Sequence, residues 1–227
     1  MRTLVVVSVV VGLSLAGGIS CSQEPGVGEE PDGSQERSDH PRPYEVVDNW
    51  MQPFAAPGYA FGSHPGVFAE SRDRIFVVQR GEQKLPDPVP EGFQGYVGSI
   101  GMNALRGERE MRNCIFIVDG NGTLIESWTQ WDHLFEGTAG IHKIRISRHD
   151  PERRVWVIND FRHQIHVFSN DGSELLFSLG EADTTAVDES HFGRPQDVAF
   201  LADGTLFRSP WGSSHASDYL SASCCVA

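Results

Sequence analysis

The sequence predicts an all-β chain built from repeated four-stranded antiparallel units, and three observations carry that reading. From Tyr44 onward, short runs of β-branched and aromatic residues recur. Between them fall Asp119-Gly120-Asn121-Gly122, Asn170-Asp171-Gly172 and Ala202-Asp203-Gly204, sequences that favour left-handed backbone and close hairpins. No stretch carries the apolar period of a helix. Composition agrees: 24 Gly, 13 Pro, 13 Phe and 5 Trp suit a turn-rich β protein, and 39% hydrophobic with 22% charged residues excludes a collagenous, wholly disordered or polytopic membrane chain.

Taken in order, the first unit opens at His64–Ala69 and continues through Arg74–Val78. It resumes after an interruption with Cys114–Val118, the turn at 119–122, and Leu124–Trp128. The interruption, about 82–112, is rich in Pro, Gly and charge and reads as a loop inserted between second and third strands, long enough to cover one face. The second unit is the clearest: Ile141–Ile146, Val155–Ile158, Ile165–Phe168 and Glu174–Leu179. A third opens at Arg194–Phe200 and enters Thr205–Phe207. Four antiparallel strands with this punctuation make one blade of a β-propeller. Trp128, Trp131 and Trp156 are expected to pack between blades. Cys114, inside an apolar run, is expected to be buried filler.

The ends carry other signals. Residues 1–20 hold one positive charge, a dozen apolar residues and a small-residue stretch, the pattern of a secretory signal and too short to span a bilayer comfortably. Cys21 follows at the position where bacterial lipoproteins receive lipid, but Gly18 stands where an aliphatic residue is usual, so lipidation and simple cleavage both stay open. Residues 21–43 are acidic and nearly free of large apolar side chains, hence a disordered tether. Either way the chain is expected to be exported, to the periplasm, cell surface or exterior. The net charge of −13 argues against nucleic acid as a partner and leaves a lipid at Cys21 as the route to a membrane. Asn121-Gly122-Thr123 forms a glycosylation sequon that turn chemistry explains more simply. Cys224-Cys225-Val226-Ala227 matches a prenylation box only by chance in an exported chain.

Between about Pro57 and Phe207 the residues resemble the NHL-repeat β-propellers, a six-bladed family, and within them the peptidyl-α-hydroxyglycine α-amidating lyases and their bacterial relatives. The resemblance is strongest in Val155-Trp156-Val157-Ile158-Asn159-Asp160, His163-Gln164-Ile165, and His191-Phe192-Gly193-Arg194-Pro195-Gln196-Asp197-Val198-Ala199. It implies a carbon–nitrogen lyase that splits a C-terminal α-hydroxyglycine into a peptide amide and glyoxylate, with zinc held by three His, a structural calcium, and catalytic Arg and Tyr. By position it implies His142 as a zinc ligand, Arg80 as the catalytic clamp for the substrate carboxylate, and Val67 and Ile144 as donors of main-chain carbonyls to calcium. Such roles suit the chemistry, since imidazole ligates zinc, an Arg fork holds a carboxylate, and calcium prefers hard oxygens. The residues alone also allow His142 to be a hydrogen-bonded channel residue and Arg80 to pair with an acid such as Glu82. His163 and His166 are expected to be structural.

Two departures follow from that resemblance. At roughly 40 to 50 residues per blade, the folded part accounts for about three blades rather than six. After Phe207 the pattern is lost: Gly212 stands where the family's Tyr would be, Tyr219 is out of register, and 208–227 reads as an aberrant tail. The chain is therefore expected to be a truncated or frame-shifted lyase-like propeller, inactive as given. Open blade faces at both ends would favour self-association. A second class of function stays open, a non-enzymatic surface propeller whose loops bind a peptide, protein or carbohydrate.

Overall fold

The computed structural model describes residues 45, 47–100, 108–137, 140–186, 191–210 and 221–222. The signal, Cys21, the tether, and Gly212, Tyr219, Cys224 and Cys225 lie outside the described residues.

The chain is mostly β, in four antiparallel sheets. Its strands in order are β1 Tyr59–Phe61, β2 Gly66–Ser71, β3 Arg74–Val78, β4 Glu82–Lys84, β5 Arg109–Glu110, β6 Ile115–Val118 and β7 Leu124–Ser127. After these come β8 Lys143–Ile146, β9 Val155–Asn159, β10 Gln164–Phe168, β11 Leu175–Leu179, β12 Pro195–Phe200, β13 Leu206–Pro210 and β14 Ser221–Ala222. Two sheets are four-stranded meanders, β2-β3-β6-β7 and β8-β9-β10-β11, and a third runs β12-β13-β14. The hairpin turns form as their residues require. Asp119 Oδ1 accepts from the amides of Asn121 and Thr123 at 2.8 and 2.9 Å, and Gly122 takes φ 76°. No helix among the described residues is long and apolar enough to cross a membrane.

The strand period of two explains how the sheets stack. All five residues of β9 are buried. Alternate side chains leave opposite faces, so Val155 and Val157 join Phe76, Ile115, Ile117 and Phe168 between the first and second meanders. Trp156 and Ile158 join Ile165, Val167, Val198 and Leu206 between the second meander and the third sheet. The tryptophans pack between sheets as expected. Trp128 lies 5.7 Å from Phe76 and 5.9 Å from Phe168, Trp131 5.5 Å from Phe168, and Trp156 5.2 Å from Phe200, ring centre to ring centre. These aromatic pairs add roughly 1 kcal/mol each beyond the area they bury.

Three features differ from expectation. The segment 82–112 is not simply a loop. Its ends form β4 and β5, which pair with each other, and β4 also pairs with β1 in a separate sheet. That pairing works because buried Glu82 is satisfied by the amide of Ala56 at 3.1 Å, by Asn113 Nδ2 at 2.7 Å and by Arg112 Nη1 at 3.2 Å. The outer face of the first meander is also not open, since Trp50, Met51 and Phe54 pack over Val77, Phe116 and Val118. Finally, strand structure does not stop at Phe207: β13 runs to Pro210, and β14 pairs with it through Leu206↔Ala222 and Phe207↔Ser221.

Candidate functional site

Arg80 follows β3, and its backbone is fixed on both sides. Its amide donates to Ser63 O at 2.9 Å, and Gly81 takes φ 67° where a Cβ would lie 2.2 Å from Glu110 O. Only glycine fits that turn. His142 immediately precedes β8, and its amide donates to Ile158 O at 2.8 Å, extending the ladder by one residue. Asp160 opens the short 3-10 turn Asp160–Arg162 directly after β9.

The fold brings these three residues together. Arg80 Nε donates to Ile141 O at 3.1 Å, Nη2 donates to His142 Nδ1 at 3.1 Å, and Nη2 lies 3.7 Å from Asp160 Oδ1. Asp160, with a side chain 2% exposed, accepts at Oδ2 from Arg194 Nη2 at 3.0 Å and from Gln196 Nε2 at 3.3 Å. Phe161 is 38% exposed, with the Arg194 and Arg80 guanidinium carbons 4.1 and 5.5 Å from its ring centre. Arg194 carries an uncommon φ of 37°, held by donation from its amide to His163 Nδ1 at 3.0 Å.

One buried carboxylate is thus flanked by two guanidinium groups. Burying Asp160 without those partners would cost several kcal/mol. Burial holds the His142 imidazole below the ordinary histidine value, with Arg80 and Lys143 acting in the same direction and Asp160 against them. Arg80 has only donors, so Nδ1 of the neutral ring accepts and Nε2 keeps the proton. Nη1 of Arg80 makes no hydrogen bond to the described residues. The locus can therefore hold an anion with Arg80 and donate from His142 Nε2.

The implied metals fit these contacts poorly. Zinc ligation needs a lone pair on imidazole, but Nδ1 accepts from Arg80 and Nε2 is the protonated nitrogen. Among the described residues no three His, Cys, Asp or Glu side chains form a metal-holding group. At the calcium positions, Val67 and Ile144 lie in neighbouring strands β2 and β8. The Ile144 carbonyl accepts from Arg145 Nη1 at 3.1 Å, a cation already placed on that oxygen.

The remaining candidates are placed as follows. Arg80 does not pair with Glu82, which is taken by Arg112 and Asn113. His163 caps its 3-10 turn in left-handed backbone, and buried His166 shares a hydrogen bond with Ser178 Oγ at 2.8 Å, so neither joins His142. Cys114 is free and buried, and desolvation, with Asp132 beside it, pushes its thiol far above the ordinary value, so it is inert. Phe161 and Gln196 carried no sequence signal for the site. Asp160 and Arg194 did, Asp160 as a charge closing a buried strand and Arg194 between Gly193 and Pro195. No protein-family model matches the chain, and no curated protein matches it.

Proposed function

We propose that this is an exported NHL-type β-propeller related to the peptidyl-α-hydroxyglycine amidating lyases, in which the three stacked sheets are blades and the substrate clamp is kept without turnover. The contact between Arg80 and His142 carries the reading. These two residues are implied separately by register on different repeats, and their side chains meet at 3.1 Å. In this reading Arg80, backed by Arg194, holds the terminal carboxylate. Phe161 floors the site, and His142 Nε2 donates to a ligand oxygen. In the resembled lyases zinc would polarise the substrate hydroxyl, whose oxygen becomes the aldehyde of glyoxylate as the C–N bond breaks and its proton is given up. The Arg80–His142 bond leaves no ring nitrogen for such an ion, so no elimination step is assigned here.

The test is incubation of the whole chain with a hydroxyglycine-ended peptide, zinc and calcium. Binding without glyoxylate release, lost in Arg80→Gln, is expected. Glyoxylate release that disappears in Arg80→Gln would make the chain an active lyase, and absence of binding would remove the clamp.

A second reading, a propeller that binds carbohydrate or protein through its loops, is favoured by a cleft of about 220 Å³ lined by Met51, Gln52, Phe61, His64, Gln94 and Tyr96. Its lining combines aromatic faces with planar amides and holds no acid, lysine or arginine, which suits a small neutral ligand. Saturation-transfer NMR with methyl glycosides tests it, with signal expected in the wild type and not in Tyr96→Ala.

A further inference from the structure

Contacts from two cationic side chains of β8 tie it to the first strands of both neighbouring sheets. Lys143 Nζ donates to Pro65 O, one residue before β2, at 3.2 Å. Arg145, on the same face of β8 two residues later, donates through Nη1 to Ile144 O at 3.1 Å and through Nη2 to Asp197 Oδ2 of β12 at 2.6 Å. The other oxygen of Asp197 accepts from the Val198 amide at 2.8 Å, which fixes the carboxylate for the pair.

The strands approach closely where this happens. A Cβ on Gly66 would lie 3.0 Å from Lys143 Cα and 3.1 Å from Ile144 N, so β2 and β8 meet backbone to backbone. At this junction the Pro65 and Ile144 carbonyl oxygens both accept from positively charged side chains. In the resembled family a calcium ion is the cation implied at the Val67 and Ile144 carbonyls, and calcium takes six to eight oxygen ligands. Here the chain brings its own cations. A dication beside Ile144 O would meet the Arg145 guanidinium at hydrogen-bond distance from the same atom, and the nearby Asp197 oxygens are already engaged.

We infer that Arg145 and Lys143 replace an inner-strand calcium, so that the three sheets dock through side-chain cations and the fold is calcium-independent. The comparison with calcium rests on the kinship proposed above, but the contacts themselves do not.

The experiment is thermal unfolding of the whole chain in calcium, in magnesium at equal ionic strength, and in EGTA, alongside Arg145→Met, Asp197→Asn and the double variant. Equal midpoints in the three media are expected. Asp197→Asn and Arg145→Met should each lower the midpoint by about 2–4 °C, the scale of a partly exposed ion pair in a chain of this size, and the double variant should fall by less than their sum. A midpoint raised by calcium over magnesium would overturn the inference, because a ligand bound to the folded state stabilises it by mass action. Variants as stable as the wild type would overturn it equally. Should Arg145→Met fail to fold, Asp197→Asn breaks the same pair with almost no change of volume, and equilibrium dialysis of the wild type against calcium decides the metal question. Saturable binding of one ion would sink the idea and none would support it. Loss of peptide binding in Arg80→Gln leaves all these readouts unchanged, so the two proposals fail separately.

Discussion

Arg80 and His142 stand 62 positions apart and meet with Nη2 on Nδ1 at 3.1 Å. A guanidinium on an imidazole nitrogen fixes the tautomer and opposes protonation, adding to the effect of burial. Removing that cation while Asp160 stays should therefore raise the pKa of His142. In Arg80→Met, the His142 ring resonances followed by NMR should titrate at a higher pH than in the wild type. An unchanged or lower midpoint would show that the two side chains do not meet in solution.

Asp160 is the counter-charge for both Arg80 and Arg194. Asp160→Ala removes the buried carboxylate shared by Arg80, Arg194 and Gln196, a loss of about 3 kcal/mol. Urea unfolding measures it. A loss below about 1 kcal/mol would mean that the cluster is solvated and the carboxylate is not its centre.

Acid should weaken the fold through two buried histidines. His64 and His166 are both pulled down to about 4 from an ordinary 6.5, chiefly by desolvation, and each has an Nε2 with no partner. The unfolded chain takes up protons that the folded chain refuses, so their contribution is full above about pH 6.5 and is lost as pH falls towards 4. Each contributes up to about 3 kcal/mol over that window. Asp171, held near 2, acts only at lower pH. Unfolding midpoints measured from pH 7.5 to 4.5 should fall, and His166→Gln should flatten part of the slope. A flat wild-type profile would contradict burial of both rings.

Gly172 joins a turn to a sheet interface. At φ 71° a Cβ there would lie 2.1 Å from the Trp128 ring, while its carbonyl accepts from Trp131 Nε1 at 2.8 Å and Gln130 Nε2 at 3.0 Å. Gly172→Ala should displace Trp128 from between Phe76 and Phe168 and cost about 2–4 kcal/mol, since strain and overpacking act together. Thermal unfolding and a red shift of tryptophan emission report both effects. By contrast, Gly204→Ala, where nothing lies within 4 Å, should show only the backbone cost of its φ of 86°.

Much of the fold was legible because local chemistry fixes it. Arg74–Val78, Lys143–Ile146 and Gln164–Phe168 are strands with the boundaries their apolar runs suggest, and Asp-Gly turns close hairpins between strands. The sheet of β1, β4 and β5 was not legible. Its strands are two or three residues long, and buried Glu82 reads as a surface residue until Ala56, Arg112 and Asn113 gather round it. The same holds for the site: Arg80 and His142 could be singled out, but Asp160 binding Arg194, and Phe161 beneath both guanidinium groups, depend on contacts across separate sheets.

By itself, then, the sequence determined the all-β character, the two complete four-strand meanders and the inter-sheet tryptophans, because period, turn residues and apolar bulk act over a few neighbouring positions. Only the tertiary structure decided what each charge does. Arg80 meets an imidazole instead of Glu82, Arg145 serves the Ile144 carbonyl and Asp197, and Trp50 and Phe54 cover a face that the repeats leave open. Partner choice for a charged or aromatic side chain is set by which distant strands come within a few ångströms, and no local pattern encodes that distance.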